Sequence, residues 1–169
     1  MNDSVVLNTD TVERGAMAEW VRRFEQVWRK GQDELENMLR LLSPSVQLSA
    51  PGLPAARGRD AARRVFRLSF RALPRLHARV NAWSASRDLL FVDMTFSTEL
   101  STGHFEWPNI DRFRFEQGVA VERVAFHDPT PVQAALREAT TDSHRNATRP
   151  EHNAGNLFPA CGTESNPSR

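Results

Sequence analysis

A chain of 169 residues with 40% apolar content and a net charge of +1 has material for one domain with a sizeable core plus some tail. The near-neutral balance removes any global electrostatic case for nucleic acid or a membrane surface, and no run approaches the roughly 20 apolar residues of a membrane span. A single cysteine, Cys161, excludes an internal disulfide and any cysteine-rich metal site, while the complete absence of tyrosine excludes a phenol as acid or oxyanion donor.

Residues 1–14 are polar and aperiodic and read as a flexible N-terminal arm without the basic-then-apolar pattern of a secretory signal, so a cytoplasmic protein is expected. From Ala16 the pattern is helical. Trp20, Phe24 and Trp28 recur every four residues beside Met17, Val21 and Val27, and Gly31 ends the stripe. A short second helix carries Leu35, Met38, Leu39 and Leu42, closed by Ser43-Pro44. Val46 to Ala50 alternates as a strand, and Pro51-Gly52-Leu53-Pro54 must be a loop because two prolines in four residues deny both helix and ladder. Gly58-Arg59-Asp60 opens a third helix with Ala62, Val65, Phe66, Leu68 and Phe70 on its apolar side, stopped by Pro74. The arginines at 57, 59, 63, 64, 67 and 71 read as its solvated face.

The chain then turns to strands: Leu76–Ser84, Leu89–Leu100, Trp107–Phe115 and Val119–His127, an antiparallel meander separated by turns at Arg87-Asp88, Ser101–Gly103 and Glu116-Gln117-Gly118. A final short helix is expected over Pro131–Glu138, and residues 139–169 have the composition of a disordered tail. The domain proper is therefore 15–138. Its element order predicts an α+β fold, a cone-shaped barrel made by a curved, mostly antiparallel sheet with three helices on its concave face. Such a cone encloses an apolar cavity suited to a hydrophobic small-molecule ligand.

The last hairpin carries the candidate chemistry. Alternation places Trp107, Asn109, Asp111, Phe113 and Phe115 on one face, the more apolar one, which should look inward. A carboxylate among aromatics is costly unless hydrogen-bonded or protonated, so Asp111 is either a functional acid or a structural aspartate tied to backbone or to Trp28. On the return strand the pattern leaves the parity open between Val119, Val121, Arg123, Ala125 and His127 and the even set. If the odd set is inward, His127 stands beside the pocket with a titration range suited to proton transfer. Arg123 would then bind an acidic substrate or pair with Asp111, and in the second case Asp111 is ionised and cannot donate. Asp128 reads as a strand end and cap, while His77, Asp93 and His104 are expected on the exterior. No metal-ligand spacing, phosphate loop or serine–histidine–aspartate array is present, and neither metal nor cofactor is expected.

Several motifs together resemble the nuclear transport factor two-like superfamily, in particular its SnoaL-like polyketide cyclase branch. They are Trp28 and Gly31 at the first helix end, Val46-Gln47-Leu48-Ser49-Ala50-Pro51, Gly58-Arg59, Ile110-Asp111-Arg112-Phe113-Arg114-Phe115, and Gly118 to Pro129. The resemblance covers about residues 12–138 and implies the fold more than a reaction. It supports the odd set of the last strand as inward, places Asp111 where ketosteroid isomerases keep a protonated oxyanion donor, and puts Ala50 where their general base stands and Phe24 where their tyrosine stands. With both partners absent the chain should not be a ketosteroid isomerase. The Asp–Arg–Asp set of limonene epoxide hydrolases looks reduced to Asp111, with Asn109 and Ala125 at the other positions, and scytalone-type dehydratases need tyrosines. The least demanding template is a SnoaL-like cyclase with one aspartate-centred acid/base and a hydrophobic cavity. The resulting expectation is a cofactor-free cyclase, isomerase or dehydratase using Asp111 and His127, with Phe24, Trp28, Val65, Phe66, Trp107, Asn109, Phe113 and Arg123 contacting substrate. Its rival is a non-catalytic binding or dimerisation domain of the same fold. A homodimer through the outer sheet face, where Ile110 alternates with Arg112, Arg114 and Glu116, follows from the family habit.

Overall fold

The computed structural model describes residues 9–147, with side chains described over 15–140. Helix α1 (Thr9–Lys30) buries Trp20, Val21, Phe24, Val27 and Trp28, one face of a 3.6-residue period, and starts earlier than its apolar stripe. A 3-10 turn over Gly31–Glu34 joins it to the short α2 (Leu35–Arg40). Strands β1 (Leu42–Ser49) and β2 (Ala56–Arg57) follow, then α3 (Arg59–Ala72), β3 (His77–Ser86), β4 (Leu89–Leu100), β5 (Gly103–Glu116), β6 (Val119–Phe126) and α4 (Pro129–Ala147).

The fold is mixed α+β, as expected, but the sheet is curved without closing into a barrel. Its six strands run β2-β1-β6-β5-β4-β3, leaving β2 and β3 as free edges. The β3–β6 meander is antiparallel throughout, and β1 joins β6 in parallel, a pairing that hydrophobic pattern alone does not announce. Two corrections concern β1 and its neighbour. The strand starts at Leu42, not Val46, and takes in Pro44. Its register against β6 breaks between Leu42 and Gln47, where the proline has no N–H to give the ladder. Ala56–Arg57, expected as loop, adds a two-residue edge strand. At the other end α4 starts at Pro129 and runs to Ala147, past the predicted end at Glu138, and α1 begins inside the predicted arm. The remaining residues of the arm and tail, Cys161 included, lie outside the described residues.

Aromatic packing fills the space between α1 and the sheet. Trp20 stacks on Phe24 at 5.0 Å, and both meet Phe113 edge-on at 4.7 and 5.2 Å. Trp28 meets Phe96 edge-on at 4.8 Å, and Phe96 stacks on Trp107 at 5.4 Å. This staggered geometry suits the ring quadrupoles. Leu68, placed on the apolar side of α3 by its spacing, is 50% exposed, because the face of α3 that meets the core runs through Ala62, Phe66 and Phe70.

Two backbone features position the functional end of the hairpin. Gln117 and Gly118 both take positive φ, 50° and 77°, the two-residue turn whose twist matches antiparallel strands. One pair beyond the turn, the register slips between Arg114/Glu122 and Phe115/Ala120, so Val121 is an extra residue in β6. Before the bulge Ala120 faces the core; after it Arg123 and Ala125 do. The bulge thus switches the inward parity of β6 from even to odd residues.

Gly31 fixes the other wall. Its φ is +66°, and a Cβ there would lie 2.6 Å from the Leu76 carbonyl oxygen. That oxygen is backbone and cannot swing aside. Gly31→Ala should therefore destabilise the protein by about 1–3 kcal/mol, the usual cost of a forced left-handed residue, and by more if β3 resists moving. Urea denaturation of the variant against wild type measures it; an unchanged midpoint would contradict the close approach.

Candidate active site

A cavity of about 350 Å³ lies between α3, α4 and the inner face of the sheet. Trp28, Phe66, Phe96 and Trp107 form its aromatic wall; Val65 and Leu73 come from α3, Val132 and Leu136 from α4, and Leu48, Ser49, Ala50 and Pro51 from the end of β1. The parallel β1–β6 pairing sets Leu48 beside Arg123, which is how the β1 end reaches this wall. Its mouth carries Leu53 and Leu68, both exposed. Helix α4, expected to be a short terminal element, supplies one side of the cavity. Asp128 caps it by accepting the Thr130 N–H at 2.9 Å, which holds the Asp128 carboxyl below its usual range, and Ser101 donates to the Ala139 carbonyl at 2.8 Å further along.

Polar groups enter this apolar space from β5 and β6. Asp111 is fully buried; its Oδ2 accepts from Arg123 Nε at 2.8 Å, and Arg123 Nη2 lies at ion-pair distance, also 2.8 Å. The two residues are diagonal neighbours on the inner face, Asp111 opposite Ala125 and Arg123 opposite Phe113. Asp111 Oδ1 accepts from Asn109 Nδ2 at 2.9 Å, and Asn109 Oδ1 lies 3.1 Å from His127 Nδ1. Four side chains therefore form one chain: Arg123, Asp111, Asn109, His127. Asn109 is two residues before Asp111 and so shares its face, while His127 lies one step past the Ile110–Phe126 pair, opposite Asn109.

Exposure to the cavity differs sharply along this chain. Arg123, Asn109 and His127 line it; Asp111 does not. Both hydrogen bonds to the carboxylate are donated to it, so Asp111 acts as an acceptor on each oxygen. Asp111, expected as an acid/base group meeting substrate, is thus buried behind the cavity wall, and of the two alternatives foreseen for Arg123 the pairing with Asp111 is the one present. The Arg123 guanidinium also sits over the rings of Trp28 at 5.6 Å and Phe66 at 5.4 Å. Its Nη1 is neither hydrogen-bonded nor sealed among the described residues, which leaves that arm to the cavity. His127 is half-buried. Burial, the largest influence, together with the Arg123 charge, holds its imidazole below the ordinary 6.5 against the opposing pull of Asp111 and Asp128. The Trp28 indole Nε1 is buried with no partner among the described residues.

Two further expected contacts do not reach the cavity. Phe24 and Phe113 are core residues packed on each other and on Trp20. Spacing put them on the correct faces but not at the correct depth. Ala50, the position where the resemblance puts a general base, does line the cavity and offers it a methyl group. Asp93 and His104 are exterior. His104 lies between Glu99 and Glu106, whose carboxylates raise its proton affinity, and His77 is half-buried at the start of β3. Among the described residues no group of three or more metal-ligating side chains clusters, and no helix is long and apolar enough to cross a membrane.

An open α+β sheet with helices over its inner face and an apolar pocket at one end is the architecture of nuclear transport factor two-like proteins. The chain belongs to the SnoaL-like domain family, whose model matches residues 21–123. Among solved structures it is similar to a putative SnoaL-like polyketide cyclase from Jannaschia sp. CCS1, at 20% identity with a TM-score of 0.64 over 72% of this chain and 92% of that one. An NTF2-like protein of unknown function from Burkholderia pseudomallei K96243 matches at 18% identity and TM-score 0.64, over 72% and 97%. TerC, co-crystallised with polyporic acid, matches at 14% and 0.65, over 72% and 98%. At these identities the likeness establishes the fold alone. Among curated proteins no sequence match was found.

The buried ion pair makes a quantitative demand. Asp111→Ala strands the Arg123 charge in the core and should cost about 3–5 kcal/mol, whereas the double replacement Asp111→Leu with Arg123→Met should cost clearly less, since it removes both desolvated charges. Urea unfolding of the single and double variants decides; additive losses would show that the two residues are not coupled.

Proposed function

We propose that the protein is a cofactor-independent enzyme that moves a proton beside the carbonyl group of an apolar small molecule, with His127 as the base and Arg123 as the donor to the developing oxyanion. The observation that carries this reading is the convergence of a half-buried imidazole and one unengaged guanidinium arm in a cavity otherwise walled largely by aromatic and aliphatic side chains. Burial keeps the imidazole neutral near pH 7, the form that accepts a proton. A carbon acid bound in the cavity loses its α-proton to His127, and the electron pair moves onto the carbonyl oxygen. Arg123, held in place by Asp111 before substrate arrives, donates to that oxygen without reorganising. The orphaned Trp28 indole N–H supports the reading, because an unsatisfied buried donor costs about 1–3 kcal/mol and a ligand oxygen would offset it.

From the enolate, the outcome follows from the substrate. Return of the proton from the imidazolium to a different carbon is isomerisation, attack of the enolate carbon on a second carbonyl is cyclisation, and protonation of a departing β-hydroxyl is dehydration. The similarity to a putative SnoaL-like polyketide cyclase and to TerC, co-crystallised with polyporic acid, supports a carbonyl-bearing, largely apolar substrate. The competing reading, a non-catalytic small-molecule-binding domain, draws on Ala50 and Phe24, which leave the family's base and hydroxyl donor positions without function.

Deuterium exchange separates the two. Wild-type protein should accelerate loss of the α-protons of 2-tetralone in D2O above the buffer rate, and His127→Gln should lower that acceleration by about 10²–10⁴-fold. Because the folded imidazole titrates below 6.5, the rate should climb as pH rises through that lowered value and stay level above it. Binding of the ketone with exchange at the buffer rate would assign the cavity to the non-catalytic reading.

A homodimer through the outer sheet face is proposed on separate ground. Ile110 and Phe126, cross-strand partners on β5 and β6, are 46% and 50% exposed, and Phe91 on β4 is 37% exposed. They lie among the paired charges of Arg112, Glu122 and Arg114, an apolar centre with a polar surround. Sedimentation equilibrium at micromolar concentration should give twice the 19.1 kDa chain mass, falling to the monomer in Ile110→Glu/Phe126→Glu. A wild-type monomer would remove the dimer.

A further inference from the structure

We propose that Asn109 is a positioning residue that locks His127 in the Nδ1–H tautomer, so that the nitrogen presented to the cavity is the unprotonated Nε2. The inference deepens the acid–base reading above, but the tautomer is a property of the ligand-free protein and stands or falls separately.

Hydrogen-bond direction is set outward from the ion pair, each link fixing the next. Asp111 is fully buried, and its Oδ2 is committed to Arg123, accepting from Nε and ion-paired with the guanidinium. An ionised carboxylate only accepts, so the end of the Asn109 amide that meets Oδ1 at 2.9 Å has to be the NH₂ group. The usual ambiguity between the two ends of an amide is thereby removed by the chemistry of its partner. With Nδ2 committed to Asp111, the amide oxygen faces His127 Nδ1 at 3.1 Å. A carbonyl oxygen also only accepts, and Nδ1 must therefore carry the hydrogen. A neutral imidazole has one N–H, which leaves the lone pair on Nε2. His127 lines the cavity, and no hydrogen bond engages Nε2 among the described residues. The charged groups around the ring are Asp111, Arg123 and Asp128, of which Asp128 is occupied in capping α4 at Thr130.

Proton balance follows directly. When Nε2 takes a proton from a carbon or oxygen acid, the ring becomes imidazolium and keeps its Nδ1–H bond to Asn109 Oδ1. No proton passes to Asn109 or Asp111; the positive charge stays on the ring, attracted by the Asp111 carboxylate. At its other end the same array offers the free Nη1 donor of Arg123. The cavity thus presents an acceptor and a donor fixed by one buried carboxylate. The complementary ligand carries an acidic hydrogen near an oxygen that gains charge as that hydrogen leaves, as in an enolisable ketone or a β-dicarbonyl.

Long-range ¹H–¹⁵N correlation spectra of the ¹⁵N-labelled full chain, recorded where His127 is neutral and assigned by its absence in His127→Gln, read the tautomer directly. Wild type should show a protonated Nδ1 and an unprotonated Nε2. Asn109→Leu keeps the ion pair, removes the acceptor and should make Nε2–H the main species. Asp111→Asn, a residue that does not touch His127, should also scramble the tautomer, because an amide opposite Asn109 no longer demands a donor; a purely structural aspartate would leave it unchanged. Asn109→Leu carries the test even where Asp111→Asn fails to fold. An Nε2–H tautomer in wild type, or an undisturbed Nδ1–H tautomer in Asn109→Leu, would overturn the proposal. A locked tautomer in a protein that exchanges no α-protons would leave it standing and remove the enzyme reading alone.

Discussion

One buried ion pair organises the functional end of this molecule. Asp111 and Arg123 meet at 2.8 Å between two adjacent strands, with the carboxylate wholly shut off from solvent and the guanidinium almost so. Pairs of this kind contribute little net stability against an apolar replacement, since the attraction is largely consumed by desolvation. What they do impose is geometry. Both carboxylate oxygens must find donors, and that requirement propagates through Asn109 to His127. The pair also holds the guanidinium across the rings of Trp28 and Phe66, so the aromatic wall and the polar end share one anchor.

Reaching that arrangement depends on a single extra residue. Strict alternation from Ala120, the first buried position of β6, would carry Glu122, Val124 and Phe126 inward and push Arg123 out. The bulge at Val121 reverses this, and Glu122 instead joins Arg112 and Arg114 on the outer face. An inserted residue is invisible to a period-two reading, which is why the inward face of β5 was legible in the sequence while that of β6 needed the family resemblance to choose it. The same limit applies elsewhere. Helical spacing identified the inner faces of α1 and α3, yet it could not say that Phe24 and Phe113 seal against Trp20 whereas Trp28 and Phe66 open onto the cavity. Periodicity encodes direction, and depth is decided by what packs above. Nor could it reveal the parallel β1–β6 pairing, since parallel partners are set by connections distant in the chain. The reach of α4 into the cavity wall through Val132 and Leu136 left no mark beyond a weak apolar spacing.

The departures from the wider superfamily can be weighed in the same terms. A carboxylic acid that donates a hydrogen bond to substrate needs an apolar pocket and no cation beside it; Asp111 has a guanidinium on one oxygen and an amide N–H on the other. Arg123 therefore does more than fill a position. Its presence makes the aspartate an acceptor and leaves Nη1 as the unengaged donor of the pair. Ala50 and Phe24 offer neither a base nor a hydroxyl, and the charged and imidazole groups of the cavity come instead from β6 and the strand end that follows it.

His127 lies at the outer end of the hydrogen-bonded chain and lines the cavity. It stands past the last paired residue of β6, half-buried, with the capped start of α4 immediately after it. A deeper imidazole would be walled off like Asp111, and a shallower one would titrate as in water and compete with solvent for its proton. At the strand end the ring is anchored from within by Asn109 and faces the cavity on its other side. The depth that keeps Asp111 off the cavity wall thus places it where it meets, through one amide, the imidazole that lines the cavity.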